Sequence, residues 1–176
     1  KVVGEGELDK IVINTAGIGV FEREPLNTNK LEPEDKIILT GNIGDHSIHL
    51  LATRVNLGEG YQKRILSDCA PLNGLVDELL TALPPGSVKA VRDVTRGGLA
   101  AVLNEFAENS GYSVYYEREK LPVKRETAMA ADMLGLDPIH LANEGCALLF
   151  VKPAYEQKAM ERSEERRVGK SVDLGG

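Results

Sequence analysis

The segment VRDVTRGGLA, residues 91–100, combines side chains and backbone suited to holding an anion. Gly97 and Gly98 let backbone N–H groups approach a ligand closely, and the helix that starts there favours negative charge. Arg96 adds a planar guanidinium matched to a carboxylate or phosphate. Asp93 is spaced to orient Arg96 or to accept from a substrate N–H. The competing reading is an ordinary strand-to-helix turn braced by an Asp–Arg pair. In LANEGCALLFV, residues 141–151, Asn143 and Glu144 stand at the tip before a strand-like apolar run. A carboxylate held against apolar residues has a raised pKa and can act as a base near neutral pH. The plainer alternative is a turn residue ahead of Gly145. In TGNIGDHS, residues 40–47, Asp45 suits a helix cap. His46 and His49 are neighbours on one helical face, but without a third ligand nearby they do not predict a metal site. His140 reads as packed beneath the Asn143 turn.

No Walker loop, GxSxG elbow or HExxH helix occurs, so any handling of ATP must use another architecture. The 176 residues are 42% hydrophobic and 27% charged, the balance of one globular domain. A net charge of −6, with both signs interspersed, gives no reason to expect nucleic acid or an anionic membrane as partner. Cys69 and Cys146 form neither a CxxC pair nor a zinc spacing and read as reduced thiols of a cytoplasmic protein. No apolar run approaches the ~20 residues that span a bilayer.

The elements that must position these residues follow from periodicity. Strands are predicted at 11–13, 37–39, 88–91, 112–116 and 146–151. Ile48, Leu51, Ala52 and Val55 recur at the spacing of a surface helix. Pro71 suits the first turn of the next helix, which carries Leu72, Leu75, Val76, Leu79 and Leu80 and stops before Pro84-Pro85-Gly86. Leu99, Val102, Leu103 and Phe106 line a third helix, ended by Gly111. Residues 125–134 form a fourth, capped by Gly135, and 154–160 begin a last one. Residues 57–63 read as a loop. Two successive helices break βαβ alternation, so the expected class is α+β with helices packed on one face of a mixed sheet. The chain begins at Lys1 without an initiator Met, and apolar periodicity fades from about Arg162. Residues 162–176 are expected to be a non-native or disordered tail.

INTAGIG, TGNIGDH, SDCAPL, RDVTRGG, LPVK and LDPIHLANEG occur in the order in which HypE proteins carry closely similar stretches. Over residues 1–160 the chain resembles the HypE hydrogenase maturation family. That family belongs to the superfamily of aminoimidazole ribonucleotide synthetase, selenophosphate synthetase and thiamine-monophosphate kinase. The resemblance implies the C-terminal domain of the aminoimidazole ribonucleotide synthetase-like fold over residues 21–161. Residues 1–20 would then be the end of an N-terminal ATP-binding domain.

The implied activity is a carbamoyl dehydratase step that supplies cyanide ligands for [NiFe]-hydrogenase. A thiocarboxamide on the family's C-terminal cysteine is phosphorylated by ATP, and loss of phosphate leaves a thiocyanate. By resemblance Glu144 is the base, and Lys1 matches the Lys of a Gly-Asp-Thr-Lys stretch and offsets charge. Asp93, Arg96, Gly97, Gly98 and Asn143 would line the cleft for substrate or phosphate. His46 matches the family's GDH stretch without an assigned step. ATP and Mg2+ are implied cofactors, held mainly by a preceding domain. Implied partners are a HypF-type carbamoyltransferase, the HypC–HypD complex and a second copy in a homodimer. Ser47 stands where the family has a glycine, and Cys69 and Cys146 do not replace the acceptor cysteine. The chain by itself is therefore expected to be inactive. Two alternatives stand beside this one, another superfamily enzyme such as selenophosphate synthetase, and a non-catalytic docking module for maturation partners.

Overall fold

Ala147–Val151 (β3) is buried at every position, so its continuous apolar run is that of a strand covered on both faces. It is the centre of a three-stranded antiparallel sheet in a computed structural model that describes residues 15–21, 23–26, 30–54 and 64–165. Lys36–Leu39 (β1) flanks it on one side, with Lys36 opposite Val151 and Leu39 opposite Leu148. Val88–Asp93 (β2) flanks it on the other, with Val88 opposite Val151 and Asp93 opposite Ala147. The register shifts between Val88 and Ala90, which leaves Lys89 as the extra residue of a bulge.

Alternation along β3 separates two cores. Leu148 and Phe150 pack with Leu99, Val102, Leu103 and Phe106 of Gly98–Ser110 (α3), where the Phe106 and Phe150 rings lie 4.5 Å apart. Leu149 and Val151 face the other way, onto Leu75 and Leu79 of Asn73–Ala82 (α2) and Ala159 of Glu156–Glu165 (α5). A third cluster joins Ile48 of Asp45–Arg54 (α1) to Ala130 and Ala131 of Arg125–Met133 (α4). The α+β class stands, with one correction. Helices cover both faces of the sheet, because β3 is apolar on both, and among the described residues the sheet is antiparallel rather than mixed.

Most predicted elements fall within a residue or two of those observed. Pro71 lies just ahead of α2, whose N-cap is Leu72. Gly111 and Gly135 close α3 and follow α4 with positive φ, as their roles as caps require. Residues 112–116 are not a strand. They line, together with β1, a cavity of about 500 Å3, and Val114 packs on the α3 core. The last helix extends to Glu165 with Ser163 buried, so residues 162–165 belong to the fold. Lys1, the strand at 11–13, the loop at 57–63 and residues 166–176 lie outside the described residues. No described helix is long and apolar enough to cross a membrane.

Candidate functional site

Because both outer strands run antiparallel to β3, the ends of β1 and β2 meet the beginning of β3 at one end of the sheet. The chemically interesting segments are all there. Thr40 prolongs β1 by donating its N–H to Ala147 O at 2.9 Å, and its hydroxyl accepts the Ala147 N–H at 2.8 Å. Val94 prolongs β2 by donating to Cys146 O at 2.9 Å.

Asn143 joins these segments from within. It is fully buried, and its carboxamide NH2 donates to Val94 O at 3.0 Å and Leu141 O at 3.1 Å. Its Oδ1 accepts the Gly44 N–H at 2.8 Å, and its own backbone N–H donates to Val94 O at 3.0 Å. The side chain is spent on backbone groups, as a buried carboxamide must pair its polar atoms internally, so among the described residues it acts as a support for the turn.

Glu144, the next residue, stands exposed. The apolar surroundings expected around its carboxylate are not supplied by the described residues. Its backbone is nonetheless held firmly. Asp68 accepts the Glu144 N–H at 3.0 Å and the Gly145 N–H at 3.2 Å, one on each carboxylate oxygen. Gly145 is obligatory, since a Cβ there would stand 1.7 Å from Asp68 O.

His46 is half-buried on α1, with its Nδ1 2.9 Å from Ser67 Oγ. His49 makes the matching contact one turn on, its Nδ1 2.8 Å from Ile65 O. The two histidines thus grip the 65–67 segment and do not converge on a metal. No group of three or more His, Cys, Asp or Glu among the described residues is arranged to hold one. Asp45 does not cap its own helix. It is buried against Lys124 and the Thr127 hydroxyl, the latter donating at 2.6 Å, and so ties α1 to α4. Ser47 donates to Ala142 O at 3.0 Å, adding another tie to the same turn.

In the 93–98 turn, Asp93 is exposed and accepts the Thr95 hydroxyl at 2.7 Å, with Arg92 Nε 3.7 Å away. It therefore engages Thr95 and Arg92 rather than Arg96. Arg96 is exposed, its guanidinium open to an anion from solvent or substrate. Gly97 caps α3 in the left-handed region with φ 80°. Gly98 has φ 65°, and a Cβ there would lie 2.5 Å from Ile139 O and 2.6 Å from His140 C. Gly98 serves close packing of the Pro138–His140 turn onto the helix start, while Gly97 supplies its left-handed cap. His140 itself is exposed, not packed beneath the turn.

Asp68 and Ser67 are the residues that motif reading passed over. SDCAPL carries them, and Ser and Asp readily accept backbone N–H groups, but their partners lie far along the chain. Asp93, Arg96, His46 and Glu144 thus share one end of the sheet, on an open ledge, with Asn143 and Asp68 as its supports. Cys69 is exposed, Cys146 is buried, and neither is in a disulfide.

Residues 32–175 match the family described as AIR synthase related protein, C-terminal domain. The carbamoyl dehydratase HypE of Bradyrhizobium diazoefficiens is 37% identical over 177 residues, 99% of this chain and 50% of that protein. The chain spans about half the length of the curated relatives it matches. A crystal structure of a HypE–HypF complex superposes with TM-score 0.72 at 38% identity, covering 78% of this chain and 44% of that one. HypE in complex with ATP superposes with TM-score 0.73 at 33% identity, covering 79% and 40%. The chain belongs to the AIR synthase related protein, C-terminal domain family, and its similarity within it is to HypE proteins.

Proposed function

We propose that this domain forms one half of the active site of an ATP-dependent carbamoyl dehydratase in [NiFe]-hydrogenase maturation, with Glu144 as its base. The observation that carries the proposal is the exposed Glu144 beside the buried Asn143, at the end of the sheet where the 40–47, 67–72, 91–98 and 141–146 segments meet. In that reaction ATP phosphorylates the oxygen of a cysteine-bound S-carboxamide and ADP leaves. One N–H proton is lost to solvent as the oxygen is phosphorylated, which leaves an O-phospho imidate. The second is lost to the base as the C–O bond breaks, so thiocyanate forms and phosphate departs. The chain's part is to take a proton at the Glu144 carboxylate and to offer the Arg96 guanidinium to phosphate oxygens. Lys1, which matches a family lysine, would offset charge on the activated oxygen. Asp93 holds the 93–95 turn through Thr95. His46 supports the ledge through Ser67.

ATP is supported by a HypE relative solved with it. The open guanidinium of Arg96 suits its phosphates, while no group of three or more His, Cys, Asp or Glu among the described residues is arranged to hold Mg2+. A HypF-type carbamoyltransferase is the proposed partner, from the HypE–HypF structure. The HypC–HypD complex, a homodimer and a cytoplasmic setting follow from the family resemblance. The test uses the full-length protein that contains this domain, carbamoylated on its acceptor cysteine and given ATP. Mass spectrometry should show the carboxamide lose one water. A carboxamide that persists while the relatives convert theirs would overturn the proposal.

A further inference from the structure

We infer that Asp68 is a positioning residue for Glu144, acting through a bracket that reaches from α1 to the turn before β3. The inference rests on the proposed role of Glu144 as base. One carboxylate takes two successive backbone N–H groups, those of Glu144 and Gly145, at 3.0 and 3.2 Å. Two bonds from one planar group fix the orientation of the peptide plane between them, and with it the direction in which the Glu144 side chain leaves the backbone. Hydrogen bonds to an ionised acceptor are also about twice as strong as neutral ones. The two segments touch backbone to backbone at this point, since a Cβ on Gly145 would meet Asp68 O at 1.7 Å and Asp68 C at 2.8 Å.

The bracket is itself anchored. His46 Nδ1 and the Cys69 N–H both reach Ser67 Oγ, at 2.9 and 3.1 Å, and His49 Nδ1 reaches Ile65 O at 2.8 Å. Two turns of α1 therefore hold residues 65–69, and residue 68 holds Glu144. From the other side, Asn143 is pinned to Val94, Leu141 and Gly44. An exposed carboxylate on an unbraced turn would sample many directions, whereas a base needs a defined approach to its proton. Only the side chain of Glu144 keeps its freedom, while its backbone is held on both flanks.

The test is single-turnover dehydration by the full-length carbamoylated protein, following thiocyanate formation at varied ATP. Asp68→Asn keeps the size of the side chain but turns an NH2 toward one of the two N–H groups. It should lower the rate constant about 100-fold, as for a misplaced catalytic group, with KM for ATP and the thermal midpoint near wild type. Ser67→Ala loosens the bracket without touching Glu144 and should lower the rate constant by about tenfold, again without moving KM. A wild-type rate in both variants while Glu144→Gln is inactive overturns the positioning role and leaves the base intact. A matching rise in KM, or loss of the fold in both variants, makes Asp68 an ordinary structural residue and also overturns it. A wild-type rate in Glu144→Gln overturns the underlying assignment of the base instead.

Discussion

The buried carboxamide of Asn143 accepts the backbone N–H of Gly44 at 2.8 Å across a sequence separation of 99 residues. With its two donations to Val94 and Leu141, that one side chain closes the turn after β1, the turn after β2 and the turn before β3 into a single unit. The exposed groups of the ledge depend on it without touching it.

Asn143→Ala should therefore be costly out of proportion to its size. It leaves the Gly44 N–H and the Leu141 carbonyl without their partner, and buried groups so stranded cost ~1–3 kcal/mol each. A loss of about 2–4 kcal/mol is expected in denaturant unfolding. Asn143→Asp should be worse at neutral pH, because it sets a carboxylate against two carbonyl oxygens.

Gly98 and Gly86 both have positive φ, at 65° and 78°, but only Gly98 is crowded. Gly86→Ala meets nothing within 4 Å and should cost only the left-handed strain, about 1–2 kcal/mol. Gly98→Ala adds a clash with the backbone of residues 139–141 and should cost about 1–3 kcal/mol more. Equal thermal midpoints for the two variants would contradict this packing.

Lys89, at the β2 bulge, is buried with Asp35, its Nζ 3.1 Å from the Asp35 carboxylate, and also pairs with the exposed Glu32. Burial is the largest single influence on Lys89 and disfavours its charge. The hydrogen bonds and charges of Glu32 and Asp35 together outweigh it and hold the pKa above the ordinary lysine value. Lys89→Met leaves Asp35 buried without its cation and should destabilise by about 3–5 kcal/mol. Adding Asp35→Asn should recover part of that loss in equilibrium unfolding, since no charge then remains buried.

Asp137 couples pH to the turn that packs on Gly98. Burial pushes its carboxyl upward, but the hydrogen bonds from Arg118 and the Ile139 N–H, with the Arg118 charge, hold it below its ordinary value of 3.8. A depressed folded pKa adds stability above the ordinary carboxylate range, and that stability is lost as pH falls through the folded value. The stability gap between wild type and Asp137→Asn should be constant near neutrality and close below about pH 4. A gap independent of pH would show that the Arg118–Asp137 pair does not support the turn.

Local periodicity carried the fold and failed where partners decide. Leu99, Val102, Leu103 and Phe106 announce α3 because their spacing alone defines an apolar face. Residues 112–116 have strand-forming side chains, yet pairing needs a neighbouring strand, and the segment lines a cavity with β1 rather than joining the sheet. The apolar run of β3 was legible as a strand, but its burial on both faces, and so the placement of helices, depends on distant elements. The antiparallel register, not the motifs, sets which strand ends lie together, and with them Asp93, Arg96 and Glu144. The partition between exposed groups and supports was not legible, because Asn143 and Asp68 act on backbone atoms 99 and 76 residues away. Gly98 likewise reads as a ligand cradle until the 139–141 backbone is seen against it.

The most direct measurement is the fate of the S-carboxamide in full-length protein carrying Glu144→Gln, with ATP supplied and folding checked by thermal unfolding. The expected result is a folded protein whose acceptor cysteine keeps its carboxamide while wild type converts it to thiocyanate. Thiocyanate formation at the wild-type rate in that variant would contradict Glu144 as the base.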